Sequence, residues 1–248
     1  MLQHNWILSL HPLTKFYFSL SITISVFIVS SYWYAMAMFG ICLILALWAG
    51  VQKAFLQNVL LALGFLLIVL FLMQAFFYPG NQVIWKLGFL SMKAEGIHYG
   101  LIMATRILAI GSAFILFFKI TAVRDFVKAL EDIGLPPMGA YVVLSTLQII
   151  PEMRKQSRVI MDAQRARGVE TEGNVWVRAK AFIPILTPLI LSSIASTEER
   201  AITLESRAFL TKNKKTSLYK LSKGPLDHVL PIAFVVILVG LLIGRVLG

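Results

Sequence analysis

Five long apolar runs, separated by short polar or turn-forming stops, occupy the two ends of this chain, and one charged stretch lies between the fourth and the fifth. The runs are Phe16–Ser31, Ala35–Gly50, Phe55–Phe77, Gly96–Lys119 and His228–Leu247. With their flanks, each approaches the ~17–25 residues that a membrane-spanning helix needs. Tyr32-Trp33-Tyr34 separates the first two as an aromatic cluster of the kind found at headgroup depth, and Tyr78-Pro79-Gly80-Asn81 stops the third. Residues 82–97 mix Trp85, Lys86, Phe89 and Lys93 with turn formers and read as an external loop or interfacial helix. Residues 1–13 form a short amphipathic lead in which Trp6, His4 and His11 read as interfacial. Arg106 interrupts the fourth run, so it must face protein or a wet cavity rather than lipid. It serves either a substrate or proton route, or an internal structural contact, and the second reading is the stronger.

The charged stretch has helical periodicity of its own. Across Thr121–Ile133, Ala122, Phe126, Ala129, Leu130 and Ile133 make one apolar stripe, with Arg124, Asp125, Lys128, Glu131 and Asp132 largely away from it. Gly134-Leu135-Pro136-Pro137 ends that helix. Two runs of about 14 residues, Met138–Pro151 and Ala181–Ile194, are short for spans and read as interfacial or buried. In the second, Pro184 and Pro188 are expected to break helix continuity. Between them, Glu152–Gly168 reads as a polar helix carrying Arg154, Arg158, Asp162 and Arg165 on one face, and Gly168 as its left-handed C-cap. The turn Glu170–Asn174 follows. Ser196 or Thr197 is expected to cap a further helix, with Glu198 and Glu199 in its first turn. On that helix Arg200, Thr203 and Arg207 share one face, and Ile194, Ala201, Leu204 and Ala208 another. A basic linker, Lys212 to Lys223, leads to the last run. The predicted class is an all-α polytopic membrane protein with about five transmembrane helices and a platform of amphipathic helices. Its parts are residues 1–120 (four spans), 121–224 (platform) and 225–248 (final span).

Composition agrees with that class: the 248 residues are 58% hydrophobic and 14% charged, with a mean hydropathy of +0.79. The net charge of +11 would suggest nucleic acid in a soluble domain. Here 17 of the 23 basic residues lie between Lys119 and Lys223, the surplus expected of cytoplasmic segments, and the aromatics sit in apolar runs, so no nucleic-acid partner is expected. The N-terminus and residues 121–224 are accordingly placed in the cytoplasm, and the lipid bilayer is the expected surrounding. The first run lacks a small-residue cleavage site and reads as a retained anchor. Cys42, the one cysteine, reads as a packing residue. The chain contains no GxxxxGK[ST], HExxH, CxxC or GxSxG, its histidines (4, 11, 98, 228) lack metal-ligand spacing, and Glu95 and Asp227 are the acids at the edges of the runs. Hydrolysis or proton coupling within the spans needs titratable groups that are nearly absent there. No catalytic residue, metal site or cofactor is therefore assigned.

The chemistry that does stand out is a pair of arginines between small neighbours: Ala166-Arg167-Gly168 and, forty positions on, Ser206-Arg207-Ala208. Each closes a segment of helical spacing. Small neighbours leave a planar, permanently charged guanidinium free for a partner's carboxylate. Arg158, Asp162, Arg165 and Glu205 are the charges expected to support them on the same helices.

Ala-Gln-Arg-Ala-Arg-Gly at 163–168 and Leu-Glu-Ser-Arg-Ala-Phe at 204–209 resemble the motifs of the transmembrane T component of energy-coupling-factor (ECF) transporters, the CbiQ/EcfT family. Thr121–Pro136 looks like that family's first coupling helix, and Lys93–Arg106 also fits, so the resemblance covers roughly residues 90–210 well. It implies a non-catalytic coupling subunit whose arginine motifs dock into grooves on two ABC-type ATPase subunits. Those partners would bind ATP and Mg, and their motion would reorient a membrane S component that captures a vitamin or metal ion. Ala208 departs from the family's frequent glycine, which puts the turn after Arg207 in question. Two other functions remain: a conventional ABC importer permease, disfavoured by spans without polar lining, and a non-transport membrane scaffold, which would not bring down ATPases.

Overall fold

The computed structural model describes residues 6–80, 82–87, 90–169, 173–209, 211, 219, 221 and 223–247. His4, the turn residues 170–172 and most of the 212–223 linker lie outside the described residues. Apart from one short β-hairpin, the secondary structure among them is helical. The chain divides into two compact units, residues 1–134 with 221–248, and residues 135–220.

In the first unit, α1 (Trp6–Ser9) leads to α2 (Pro12–Ile28), α3 (Tyr32–Trp48) and α4 (Gln52–Phe77). Strands β1 (Val83–Leu87) and β2 (Leu90–Lys93) then pair antiparallel, and α5 (Ala94–Ile120), α6 (Val123–Asp132) and, after the second unit, α9 (Leu226–Leu247) complete it. A strand hairpin thus stands where a loop or interfacial helix was expected. Tyr32-Trp33-Tyr34 opens α3 instead of forming a link between helices. α5 is the central helix, packed against α2, α3 and α4. It lies antiparallel to α4 and close to it: a methyl group at Gly96 would sit 2.5 Å from the Gln74 carbonyl oxygen, the small-residue packing that lets membrane helices approach. Ala109, Ala113 and Leu116 of α5 close the core with Ile22, Val26, Cys42, Phe55 and Val59. Cys42 is fully buried there as a filler.

Polar contacts fix how α2 sits. His11 is not interfacial but buried, and it caps α2: its Nδ1 accepts from the Leu13 N–H at 3.3 Å, with Pro12 at the first helical position. Asp227, at the start of α9, is also buried. It accepts from the His11 N–H (2.9 Å), the Thr14 hydroxyl (2.9 Å) and the Gly224 N–H (2.8 Å). Lys15 is buried on the same end and donates to the Leu8 and Ile120 carbonyls, so a cation meets the C-terminal end of the α5 dipole. At the other end of α2, Arg245 of α9 donates to the Phe27 and Ile28 carbonyls. Arg106 donates to Ser30 Oγ at 3.2 Å and stacks on Phe27, which is the structural contact expected of it. α2 and α9 are therefore parallel and tied at both ends.

α6, expected in the coupling segment of residues 121–224, packs within the first unit. Its Phe126 meets Phe16 and Phe117, each at 5.3 Å between ring centroids. Its apolar stripe matches the predicted one in the middle, where Ala129 is buried and Phe126 and Leu130 are half-buried, but Val127 is buried too, and Ala122 and Ile133 at the ends are exposed. The helix rolls so that the Lys128 stem is covered too, and Lys128 Nζ pairs with Glu131 and Asp132, both at 3.1 Å.

The second unit is built on α7 (Pro137–Ala166) and α8 (Val175–Ser206). Both are continuous where breaks were expected. The polar helix of 152–168 is the second half of α7, running through Pro151, and Ser196 and Thr197 lie inside α8, whose N-cap is Asn174. A proline removes the hydrogen bond to the carbonyl four residues earlier. For Pro188 that carbonyl belongs to Pro184, and Gln164 Nε2 of α7 donates to it at 3.2 Å. A neighbouring side chain thus takes over the bond that the second proline removes. The rings of Tyr141 and Phe209 meet at 5.3 Å. With the Gln164–Pro184 bond, that contact sets α7 and α8 antiparallel.

By length and composition, α4, α5, α8 and α9 can each cross a membrane, while α2 and α3 are apolar helices of 17 residues. The run at 181–194 therefore belongs to a helix long enough to span. The chain is an all-α multi-pass membrane protein.

Candidate functional site

Both arginine motifs lie in the second unit, and both are the same piece of backbone. Arg167 is the C-cap of α7 and Arg207 the C-cap of α8, with φ, ψ of −85°, 4° and −90°, 10°. After Arg167, Gly168 turns left-handed at φ +84° and Ala208 does so after Arg207 at φ +57°. The Gly168 and Val169 N–H groups donate to the Arg165 and Gln164 carbonyls at 2.9 and 3.0 Å. The Ala208 and Phe209 N–H groups donate to the Glu205 and Leu204 carbonyls, both at 2.9 Å. Each pair of bonds is a Schellman motif, which satisfies helix-end carbonyls and reverses the chain at one residue. The small residue before each arginine, Ala166 or Ser206, leaves the cap uncrowded. The Ser206 hydroxyl folds back onto the Thr203 carbonyl at 2.9 Å.

The departure at Ala208 does not alter the turn. A left-handed alanine is strained by about 1 kcal/mol relative to glycine, and the Schellman bonds, with the Phe209 ring against Tyr141, hold it in place. That anchor is a site feature that a reading of helix faces misses. The available signal was the aromatic residue two places after Arg207, where this kind of cap usually makes an apolar contact.

Arg167 and Arg207 are exposed, and neither has an ion pair among the described residues. Each sits where the negative end of a helix dipole favours a cation. The supporting residues divide. Arg154, Arg158, Asp162 and Arg165 form an exposed row along α7, with Asp162 and Arg165 3.8 Å apart. Glu205 is exposed one turn-position ahead of Arg207 and contributes its carbonyl to the cap.

The structure does not bring the two arginines together. Because α7 and α8 are antiparallel, their C-terminal ends point in opposite directions. Tyr141, beside the Arg207 cap, and Arg167 are 26 residues apart on one helix, about 39 Å along its axis. No single carboxylate or groove can hold both. The faces between them are apolar and open: Val142, Leu147 and Ile150 of α7 and Ile183, Ile190, Leu191 and Ile194 of α8 are exposed, and the unit buries little besides Ala140, Ile185 and Leu189. Among the described residues no group of three or more His, Cys, Asp or Glu is placed to hold a metal ion.

The geometry can be set beside known proteins. The family model described as "Cobalt transport protein" (CbiQ) matches residues 3–218. A Lacticaseibacillus paracasei protein named "Energy-coupling factor transporter transmembrane protein EcfT" is 29% identical over 221 residues, 86% of this chain and 84% of its own. A Ruminiclostridium cellulolyticum protein of the same name is 28% identical, covering 85% and 82% of the two chains. One from Streptococcus equi subsp. equi is 33% identical over 69% of this chain and 67% of its own.

Proposed function

The chain belongs to the CbiQ family of cobalt transport proteins and is a transmembrane component of the energy-coupling-factor type; from that premise we propose that its two arginine caps are the joints through which a pair of ABC-type ATPases drives it. The observation that carries this reading is the duplication. The same cap, with the same exposed cation at its apex, occurs twice at opposite ends of an antiparallel helix pair. One groove could not engage both. Two copies of one ATPase, each offering the same groove, could.

In this reading each groove closes over a small-Arg-small tip and supplies a carboxylate to the guanidinium fork. A Schellman cap suits that task, because its own hydrogen bonds are complete and docking need not reorder backbone. When ATP, held with Mg by the ATPases, draws the two subunits together, the caps move with them. α7 and α8 then act as levers. Their exposed apolar faces take a membrane S component, which carries the vitamin or transition-metal ion, and their motion reorients it. The chain itself contributes no catalytic group.

The inward placement of the levers follows from the positive-inside bias. Within the first unit, the end of α5 at Ile120 and the start of α9 at Asp227 both lie at the Lys15–His11 end of α2.

Copurification tests the proposal. The Arg167→Glu, Arg207→Glu double variant should insert in the membrane normally and lose its ATPases. Breaking a desolvated arginine–carboxylate contact costs about 2–5 kcal/mol, which at two joints abolishes stable association. Retained stoichiometric binding would refute the proposal. A reporter fused at residue 172 should face the cytoplasm, and an external signal would overturn the topology.

A further inference from the structure

Two cations meet at the end of α2 remote from α6, and the coupling function uses neither. Arg245, exposed in the last turn of α9, donates through Nη1 to the Phe27 and Ile28 carbonyls. Arg106, half-buried on α5, donates through Nη2 to Ser30 Oγ and lies over the Phe27 ring, with Cζ 5.4 Å from its centroid. Neither has a carboxylate partner among the described residues. The end of one helix offers about half a negative charge, so two full cations leave the junction strongly positive. Each guanidinium has five donors, and most remain available.

The level of this junction matters. α2 is 17 residues, about 25 Å long, and ends beside Arg106. α5 continues past Arg106 by the twelve residues 94–105, about 18 Å further toward the β-hairpin. On this side α2 and α9 end well short of the α4–α5 hairpin, whereas the start of α3 reaches further, the Tyr32 ring meeting that of His98 on α5 at 6.2 Å between centroids. Tyr32 and Trp33 open α3, and Trp33 is 72% exposed. Exposed aromatics in a membrane protein mark the headgroup zone, so Trp33, three positions after the Ser30 that Arg106 bonds, places that zone within reach of the long Arg106 side chain. A phosphate is the anion that a headgroup zone supplies and that a guanidinium fork fits.

We propose that Arg106 and Arg245 bind the phosphate of a phospholipid headgroup at the end of α2. The phosphate accepts from the guanidinium N–H groups not used by Ser30 and the α2 carbonyls.

The test uses the full chain, released from nanodiscs and read by native mass spectrometry. Phosphatidylglycerol should be retained by the unaltered protein, a phosphate-free diacyl glycolipid should not, and added inorganic phosphate should fail to displace the lipid. R106Q/R245Q should retain phosphatidylglycerol about tenfold less, R106K/R245K to an intermediate degree, and R124Q, altered on exposed α6, normally. Equal retention of the glycolipid, or of phosphatidylglycerol by R106Q/R245Q, overturns the proposal. So does displacement by inorganic phosphate, which would make the junction a site for a soluble anion. The comparison of lipids on the unaltered chain stands even if the double variant fails to fold.

Discussion

Asp227 joins the first and last membrane helices across 216 positions of sequence, and its removal should be among the most damaging single changes in the first unit. Its Oδ1 accepts from the His11 N–H and the Thr14 hydroxyl, and its Oδ2 from the Gly224 N–H, all at 2.8–2.9 Å, with the residue 8% exposed. A hydrogen bond to a charged group contributes about 1.5–3 kcal/mol, and a buried donor left without an acceptor costs about 1–3. Asp227→Ala strands the His11 N–H and the Thr14 hydroxyl, while Gly224, only part-buried, can turn to water. The expected loss is about 3–5 kcal/mol, less than the sum because neighbouring contacts are not additive. Asp227→Asn keeps the Oδ1 acceptor for two of the three donors and should lose only about 1–2 kcal/mol. Thr14→Ala, which removes one donor, should lose about 1 kcal/mol. The measurement is reversible unfolding of the purified chain in mixed micelles titrated with denaturing detergent. An Asp227→Ala loss below 1 kcal/mol would refute this role for the Asp227 contacts, and an Asn variant as damaged as the Ala variant would show that the charge, and not the retained Oδ1 acceptor, carries it.

Ala208→Gly should stabilise the second unit by about 0.5–1 kcal/mol: it relieves the left-handed strain, partly offset by the extra freedom of an unfolded glycine. A lower melting midpoint would mean that the +57° conformation is not the resident one. Gln164→Ala leaves the Pro184 carbonyl without its donor and should cost about 1 kcal/mol, seen as faster amide hydrogen exchange around residues 184–190. Unchanged exchange there would assign the continuity of α8 to other contacts. Burial, followed by the Lys223 charge, lowers the His11 pKa below its ordinary 6.5, so the imidazole is neutral in the fold and its Nδ1 is free to accept from Leu13. The unfolded chain then binds the proton more readily, so this contribution is intact above pH 6.5 and declines as pH falls toward the lowered folded value. His11→Asn, another good N-cap, should flatten stability between pH 7 and pH 5; an unchanged slope would exclude His11 as its source.

Much of the candidate site was legible one residue at a time. Gly168 after Arg167 announced a left-handed cap, and the row Arg154, Arg158, Asp162, Arg165 announced an exposed face, because both are local consequences of helix geometry. The two helices' extents were not legible. Pro151, Pro184 and Pro188 are breakers by local rules, and only a partner on another helix, such as Gln164, supplies what such a residue removes. The middle of the α6 stripe was legible, Phe126 packing on Phe16 and Phe117 as its place on the apolar face requires, whereas the exposure of Ala122 and Ile133 at the helix ends was not.

Runs of apolar residues dictate that this chain enters a membrane, and caps and small neighbours dictate that Arg167 and Arg207 stand at helix tips, since both depend on interactions within a few positions of each residue. That those tips face opposite ways about 39 Å apart, that His11 and Asp227 are partners rather than edge residues, and that Arg106 and Arg245 meet at the end of α2 depend on contacts between distant segments. Such contacts carry no periodic signature along the chain, because a single hydrogen bond across 216 residues is specified by packing in three dimensions and leaves nothing in the spacing of either neighbourhood to announce it.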